Sequence, residues 1–507
     1  MTQPICSIAD IRAIETHAQS SHTHRVAGSG DGETTLMARA GRAVAALASR
    51  VAGDRSKAIL VLAGPGNNGG DAYEAAAVLK QQFFRVVLVA VGDPAKLPED
   101  AARARRKWLD AGGEILAEPP PVQGWAMILD GLLGLGLARE PEPAIRALID
   151  YANAQRCPVI AIDVPSGLDA QTGNVPGQAV RATHTLSFIA LKPGLLTGGG
   201  PDHCGLISVD TLGLDTAGLA KDCGWVADPA HFSALLKPRP RKFHKGDAGS
   251  LAVIGGGNGM CGAPLLAGRA ALRLGCGRVY VGMLAQDAPG IDFLMPELML
   301  RHPDEVLGLD LDAVVIGPGL GRSERALALL AAIVASELPC VLDADALNLL
   351  AEDRDLRQAC ARRQADTLVT PHPGEAARLL DCSVSDIERD RLEAAGRIAE
   401  LLGAQVVLKG AGSVIRSGSR LFINRTGNPG MASAGMGDVL AGMLGALLAA
   451  RLPGDAALVL GTCLHGAAAD SLAASGNGPV GLTAGELPDA ARRIWNDWLA
   501  SSGAPGS

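Results

Sequence analysis

The stretch Gly64-Pro-Gly-Asn-Asn-Gly69 continues into Gly70 and Asp71, between an apolar run and a helical pattern. The G-x-G-x-x-G spacing suits close approach of the backbone to a pyrophosphate at a helix N-terminus. Spacing alone says little in a chain with 64 glycines among 507 residues. The side-chain oxygens of Asn67, Asn68 and Asp71 say more, because a dinucleotide loop does not require them. Two further oxygen-bearing stretches follow, Asp130 to Glu140 and Asp163-Val-Pro-Ser166-Gly167. In a parallel sheet the strand C-termini open on one edge, so Asn68, Asp130 and Ser166 could converge as hard oxygen donors for a cation. Their single formal negative charge favours a monovalent ion. Asp163, at a strand end, is a candidate general acid or base, or else caps the turn that follows. Lys192 lies just past the next strand, either at the same site or on the surface.

A second set of residues lies nearer the C-terminus. Gly435-Met-Gly437-Asp438 opens a helical pattern, and glycines at a helix start leave backbone N–H groups and the positive dipole end facing an anion. An Asp beside such a hole can take the proton from a hydroxyl undergoing phosphoryl transfer. Lys409-Gly-Ala-Gly-Ser413 joins two strand patterns and offers a phosphate both a flexible turn and a cation. Gly317-Pro-Gly319-Leu-Gly321 lets a ligand lie against backbone, and the prolines of Thr370-Pro-His372-Pro-Gly-Glu375 fix the direction of the imidazole. No Gly-Lys-Ser/Thr follows any of these loops, so a P-loop is excluded.

The elements that must hold these loops are short apolar strands alternating with helices. In the first part, strands are expected at 58–63, 86–91, 126–130, 158–163 and 184–189, with helices at 71–83, 98–111 and 143–155. From Ser250 a second alternation sets strands at 251–255, 278–282, 313–316, 339–343, 367–369 and 405–408. Its helices fall at 263–274, 323–336, 384–402, 433–450 and 455–474. Such alternation implies βαβ units and mostly parallel sheets. The fold class is therefore α/β, with two domains at residues 1–214 and 226–500. The polar His22–Glu33 stretch reads as a mobile loop, the basic Lys237–Lys245 run as a solvated connection, and Ser501–Ser507 as a frayed tail.

Composition excludes several classes. Charges sum to 46 − 53 = −7, which argues against a general nucleic-acid or membrane-surface binder. The longest apolar run, Val439–Ala450, is shorter than the ~20 residues that span a bilayer. The ten cysteines contain no C-x-x-C, and Cys261 and Cys276, the tightest pair, are fifteen apart. They read as reduced thiols, and with no signal-peptide pattern a cytoplasmic protein is expected.

The first-half motifs, together with Leu36-Met-Ala-Arg-Ala-Gly41, resemble the NAD(P)H-hydrate epimerase family across most of residues 1–214. The resemblance implies a Rossmann-like three-layer domain with potassium on Asn68, Asp130 and Ser166. It further implies hydrate binding by Asn67, Asn68, Gly69, Gly70 and Asp71, by Gly134, Leu135, Gly136, Leu137, Ala138, Arg139 and Glu140, and by Asp163. Ala72 and Leu135 stand where that family usually has Gly and Thr. The second half resembles the ribokinase-like fold and, more closely, the ADP-dependent NAD(P)H-hydrate dehydratase family. The matching motifs are His244-Lys-Gly246, Cys261-Gly-Ala263-Pro264, Gly317–Gly321, Asp343-Ala-Asp345-Ala-Leu-Asn348, Thr370–Glu375, Lys409–Ser413 and Asn428 through Asp438. This implies nucleotide binding by Lys409, Gly410, Ala411, Gly412, Ser413 and Gly437. Ala263, Gly319, Gly321, His372 and Asp438 would face the hydrated nicotinamide. Asp438 and Asp163 are the catalytic candidates, and ADP a co-substrate with Mg²⁺. The expected partners are the hydrates of NADH and NADPH and ADP, with no nucleic acid, no membrane and a homo-oligomeric assembly. Two other readings stay open on sequence: a ribokinase-like small-molecule kinase, and a first domain that binds without catalysis.

Overall fold

Apolar runs such as Ile59–Ala63 and Ser250–Gly255 form strands buried along their whole length, as strands covered on both faces are. The structure, a computed structural model, describes residues 2–20, 35–121, 124–137, 139–214 and 223–502. The expected loop His22–Glu33, Ala138 and the tail beyond residue 502 lie outside the described residues. The chain forms two units, Gln3–Gly224 and, from Trp225, the remainder.

The first unit is built on a parallel sheet in the order Ile115–Leu116, Val86–Ala90, Ile59–Ala63, Met127–Gly131, Val159–Ile162, His184–Phe188, Leu206–Asp210. Alternate residues of Ile59–Ala63 feed two cores. Ile59, Val61 and Ala63 pack with helices Leu36–Val51 and Asn67–Gln81, while Leu60 and Leu62 pack with Ile145, Leu148 and Ile149 of helix Pro143–Ala154. In register, Ala63 lies beside Gly131, so the loops after these two strands leave the sheet together.

The second unit's sheet runs Gly224–Val226, Arg420–Ile423, Val414–Ser417, Gln405–Leu408, Thr367–Val369, Cys340–Leu342, Ala313–Ile316, Ser250–Gly255, Arg278–Met283, Met299–Arg301. Among the strands named here, Val414–Ser417 alone runs antiparallel to its neighbours. Helix Gly454–Ala474 is long and apolar enough to cross a bilayer, but most of it is buried in this unit's core. Beside it, helix Met436–Ala449 packs on helix Gly262–Arg273 so closely that a Cβ at Gly442 would collide with the Ala267 carbonyl. Gly442→Ala is therefore expected to destabilise this unit by about 1–3 kcal/mol, read as a lowered thermal midpoint.

Several expectations need correction. The helix expected from Asp71 starts at Asn67, because Gly66 with extended φ/ψ serves as N-cap. The helix expected over 384–402 is two, Val384–Arg389 and Arg391–Leu402, broken where Asp390 turns its carboxylate to cap Glu393 N–H at 2.9 Å. Cys6 and Cys223 form a disulfide and are not thiols; the other eight cysteines are in no disulfide. The pair is 217 residues apart, a proximity that only tertiary structure creates.

Candidate active sites

In the first unit, the Gly64 N–H donates to Gly131 O at 3.0 Å, and a side chain at Gly64 would strike Leu132. This close approach draws the glycine loop against Leu132–Leu133. Gly69 is as constrained, by Gly64 O, while a side chain at Gly70 would meet the flexible end of Met37. Asn68 Nδ2 donates to Leu133 O at 2.7 Å, and Leu133 N–H donates to Ser166 Oγ at 2.8 Å. The Ser166 hydroxyl donates to Asp130 Oδ1 at 2.6 Å, and its N–H to Oδ2 at 2.8 Å. Asn68, Asp130 and Ser166 thus share one buried cluster. Among the described residues no cationic side chain pairs with Asp130. Burial pushes its carboxyl up to about 6 despite the hydrogen bonds from Ser166 and Leu132.

Above this cluster lies a cavity of about 600 Å³ lined by Asn67, Asn68, Asp71, Gly134, Leu135, Gly136, Asp163 and Lys192, with Arg12 and Glu15 from helix Ile8–Ser20. Lys192 is fully buried. Its Nζ donates to Asp163 Oδ1, to Ser187 Oγ at 3.1 Å and to Phe188 O at 2.8 Å. The same Asp163 oxygen accepts Phe188 N–H at 2.9 Å. Asp163 adopts φ +65°, a left-handed value that is costly for a non-glycine residue and recurs at functional sites. Burial raises the Asp71 carboxyl well above its usual range, reinforced by the charges of Asp163, Glu15 and Glu74. Burial and Asp163 raise Glu15 in the same way. Leu137, Arg139 and Glu140 fall outside the lining; Arg139 is exposed beside Glu142, and Glu140 pairs with Arg146. Arg12 and Glu15 were not expected here, since nothing in local sequence docks their helix on the sheet edge.

In the second unit, Gly435 at φ +87° lets the chain enter helix Met436–Ala449 with its first N–H groups open. A Cβ on Gly437 would lie 3.1 Å from Lys409 Nζ and 3.5 Å from Asp343 Oδ2. Lys409 Nζ donates to Asp343 Oδ1 at 2.8 Å and lies 4.0 Å from Glu375 Oε2. Thr370 Oγ1 donates to the same Asp343 oxygen at 2.7 Å. Burial lowers the Lys409 ammonium, but Asp343, Glu375 and Asp438 outweigh it, so its pKa is raised. Burial, then Asp343, raises Asp438 to about 6, against the pull of Lys409. Burial raises Glu375 to about 7, again partly offset by Lys409. His372 is the N-cap of helix Pro373–Leu380, its Nδ1 accepting Gly374 N–H at 3.0 Å and its Nε2 3.3 Å from Glu375 Oε1.

Gly319, at φ +57°, leaves room for Ala263, whose Cβ would be 3.3 Å from a Cβ there. Gly321 N–H donates to Asp345 Oδ2 at 2.9 Å. Gly410, at φ +148°, sits on buried Arg391, whose Nη2 donates to Leu408 O at 3.2 Å and Lys409 O at 3.1 Å. Ser413 Oγ closes the turn onto Gly410 O at 3.1 Å, around Ala411 and Gly412. Sequence reasoning had no role for Arg391, because its partners are backbone carbonyls of a distant turn. Asp343 and Glu375 stood inside expected motifs without a role.

Comparisons with known proteins agree on a family for each half. Residues 33–194 match the YjeF-related protein N-terminus, and residues 251–492 match NAD(P)H-hydrate dehydratase. The chain is 45% identical over 484 residues to the bifunctional NAD(P)H-hydrate repair enzyme Nnr of Escherichia coli K12, covering 91% of this chain and 89% of that one. It is 43% identical over 270 residues to the ADP-dependent (S)-NAD(P)H-hydrate dehydratase of Neisseria meningitidis, covering 52% and 91%. A crystal structure of the ADP/ATP-dependent NAD(P)H-hydrate dehydratase from Bacillus subtilis, co-crystallised with ATP/Mg²⁺, is 30% identical and covers 54% of this chain and 98% of its own, with TM-score 0.49. Two kinds of site on one chain, each matched by its own family and both spanned by a full-length relative, lead to one conclusion: the chain belongs to the family of bifunctional NAD(P)H-hydrate repair enzymes.

Proposed function

We propose that residues 1–214 interconvert the R and S hydrates of NADH and NADPH, and that residues 226–500 dehydrate the S form while converting ADP to AMP and phosphate. The observation that carries the dehydratase half is the meeting of Asp438, Lys409 and Gly437 at an open helix start. Hydroxide is a poor leaving group and phosphate a good one. Asp438 takes the proton of the hydrate hydroxyl as its oxygen forms a bond to the terminal phosphorus of ADP and AMP departs. Lys409 and the N–H groups from Gly437 onward hold the transferred phosphoryl group. The ring nitrogen then expels phosphate, and loss of a proton from the neighbouring carbon restores the double bond. Ala263, Gly319, Gly321 and His372 shape the nicotinamide side of this site, and the Lys409–Ser413 turn holds the nucleotide.

Mg²⁺ would arrive with the nucleotide and neutralise phosphate charge. The side-chain oxygen that fits it is Asp343 Oδ2, which receives no protein donor among the described residues and faces the hole. Potassium suits the first unit: a fully buried carboxylate without a countercharge, together with oxygens of Asn68 and Ser166, asks for a weakly hydrated monovalent cation. Its work would be to hold the loops that bind the hydrate beside Asp163.

Supplying pure R hydrate without ADP tests the epimerase half, with S hydrate expected by chromatography well above the enzyme-free rate. No S hydrate would refute it. Arg391→Lys is expected to raise KM for ADP about tenfold with little change in kcat, because a lysine cannot hold both turn carbonyls as the guanidinium does. Steady-state kinetics at saturating S hydrate reads this directly.

A further inference from the structure

We propose that Asp71 is a second proton-transferring group of the first cavity, protonating the departing hydroxyl of the hydrate while Asp163 takes the proton from the water that returns. The proposal rests on the epimerase assignment above. Asp71 lines the same cavity as Asp163 but stands on a different element, helix Asn67–Gln81 just past its first turn rather than a strand end. The two carboxylates live in contrasting surroundings. Asp163 is tied through Oδ1 to the buried ammonium of Lys192 and the Phe188 N–H, while its Oδ2 accepts nothing among the described residues. Asp71 has no hydrogen bond or ion pair among the described residues. It meets the negative charges of Asp163, Glu15 on helix Ile8–Ser20 and Glu74 one turn further along its own helix, opposed at Asp71 itself by Lys192, while Lys107 pairs with Glu74 and Arg12 faces Glu15. Each of these neighbours has a cation of its own, Lys192 for Asp163, Lys107 for Glu74 and Arg12 for Glu15, whereas Asp71 has none, so burial and the surrounding charge favour its protonated form. Two carboxylates on one cavity, one held by an ammonium and the other without a partner, are the arrangement that an acid and a base require.

The chemistry then closes. Hydration of the dihydropyridine double bond puts the hydroxyl on the carbon beside the ring nitrogen. Asp71 gives its proton to that hydroxyl, the carbon–oxygen bond breaks, water leaves, and the nitrogen lone pair forms an iminium. Water adds to the other face of the carbon, and its proton goes to Asp163. Atoms and charge balance with water as the only co-reactant, and a proton passing from Asp163 to Asp71 resets the pair. Lys192 is the positioning residue that holds the Asp163 carboxylate in place.

The test uses the full-length protein with R hydrate in ¹⁸O-labelled water, comparing wild type, Asp71→Asn and Asp71→Glu. Expected are label in the S product at the catalysed rate and a loss of kcat of at least about 100-fold in Asp71→Asn, at unchanged thermal midpoint. Partial recovery is expected in Asp71→Glu. The wild-type rate should fall on the alkaline side as Asp71 loses its proton, and Asp71→Asn should lack that limb. Wild-type epimerisation without label uptake, or Asp71→Asn within tenfold of wild type, overturns the role given to Asp71 while the epimerase assignment stands. A wild type that does not epimerise at all overturns the assignment and the proposal with it.

Discussion

Asp438→Asn is expected to lower ADP-dependent dehydration of S hydrate by at least about 100-fold, with R-to-S conversion at the wild-type rate. Asn is nearly isosteric, and position 438 lies in the first helical turn, where its amide is tolerated. The change therefore removes the proton acceptor and leaves the glycines that open the hole. Because burial and Asp343 raise Asp438 to about 6, wild-type kcat should fall as pH drops through that value and the base fills with a proton. The variant should lack this acidic limb. A loss smaller than tenfold, or an acidic limb unchanged in the variant, removes Asp438 from the role of base.

The second large effect lies in the other unit. Asp130→Ala should lower epimerisation by one to two orders of magnitude, as expected when a cation that orders a binding loop is lost. A pH effect on stability accompanies it. The folded-state pKa of Asp130, about 6, stands above its unfolded value near 3.8. The folded form therefore binds this proton more tightly than the unfolded form. The ionisation penalty is absent below pH ~4, grows as pH rises, and is complete above ~6, at roughly 3 kcal/mol. Potassium bound beside the carboxylate offsets that penalty only when Asp130 is ionised. Replacing a bulky organic cation by potassium at equal ionic strength should raise the thermal midpoint of the epimerase unit at pH 8, raise it little at pH 5, and do neither in Asp130→Ala. Equal midpoints in the two salts at pH 8 would contradict a potassium site here.

The sequence made the sheet edges legible because each functional loop follows an apolar strand. Asn68 at a helix start, Asp130 at a strand end and Ser166 in a loop each follow or close such a strand, and parallel register brings them to one edge. Glycines at 64, 319 and 435 were legible for a similar reason: each marks a close approach or a left-handed turn. The limits are equally physical. Lys192 could not be told from a surface lysine, since its burial depends on Ser187, Phe188 and Asp163 converging on its ammonium. Asp390 breaks a pattern whose apolar spacing is unbroken, because capping by its carboxylate outweighs continuity. Arg391, one residue on, supports a turn eighteen residues away through carbonyl contacts that no periodicity encodes. The Cys6–Cys223 pairing likewise follows from the fold and not from cysteine spacing.

The most direct test gives the full-length protein an equilibrium mixture of R and S NADH hydrate, with and without ADP, and follows NADH absorbance and adenine nucleotides together. Both epimers should be consumed to completion only with ADP, releasing one AMP and one phosphate for each NADH formed. NADH formation that stops when the initial S fraction is spent, that proceeds without a nucleotide, or that leaves a stable phosphorylated hydrate would contradict a two-site repair enzyme.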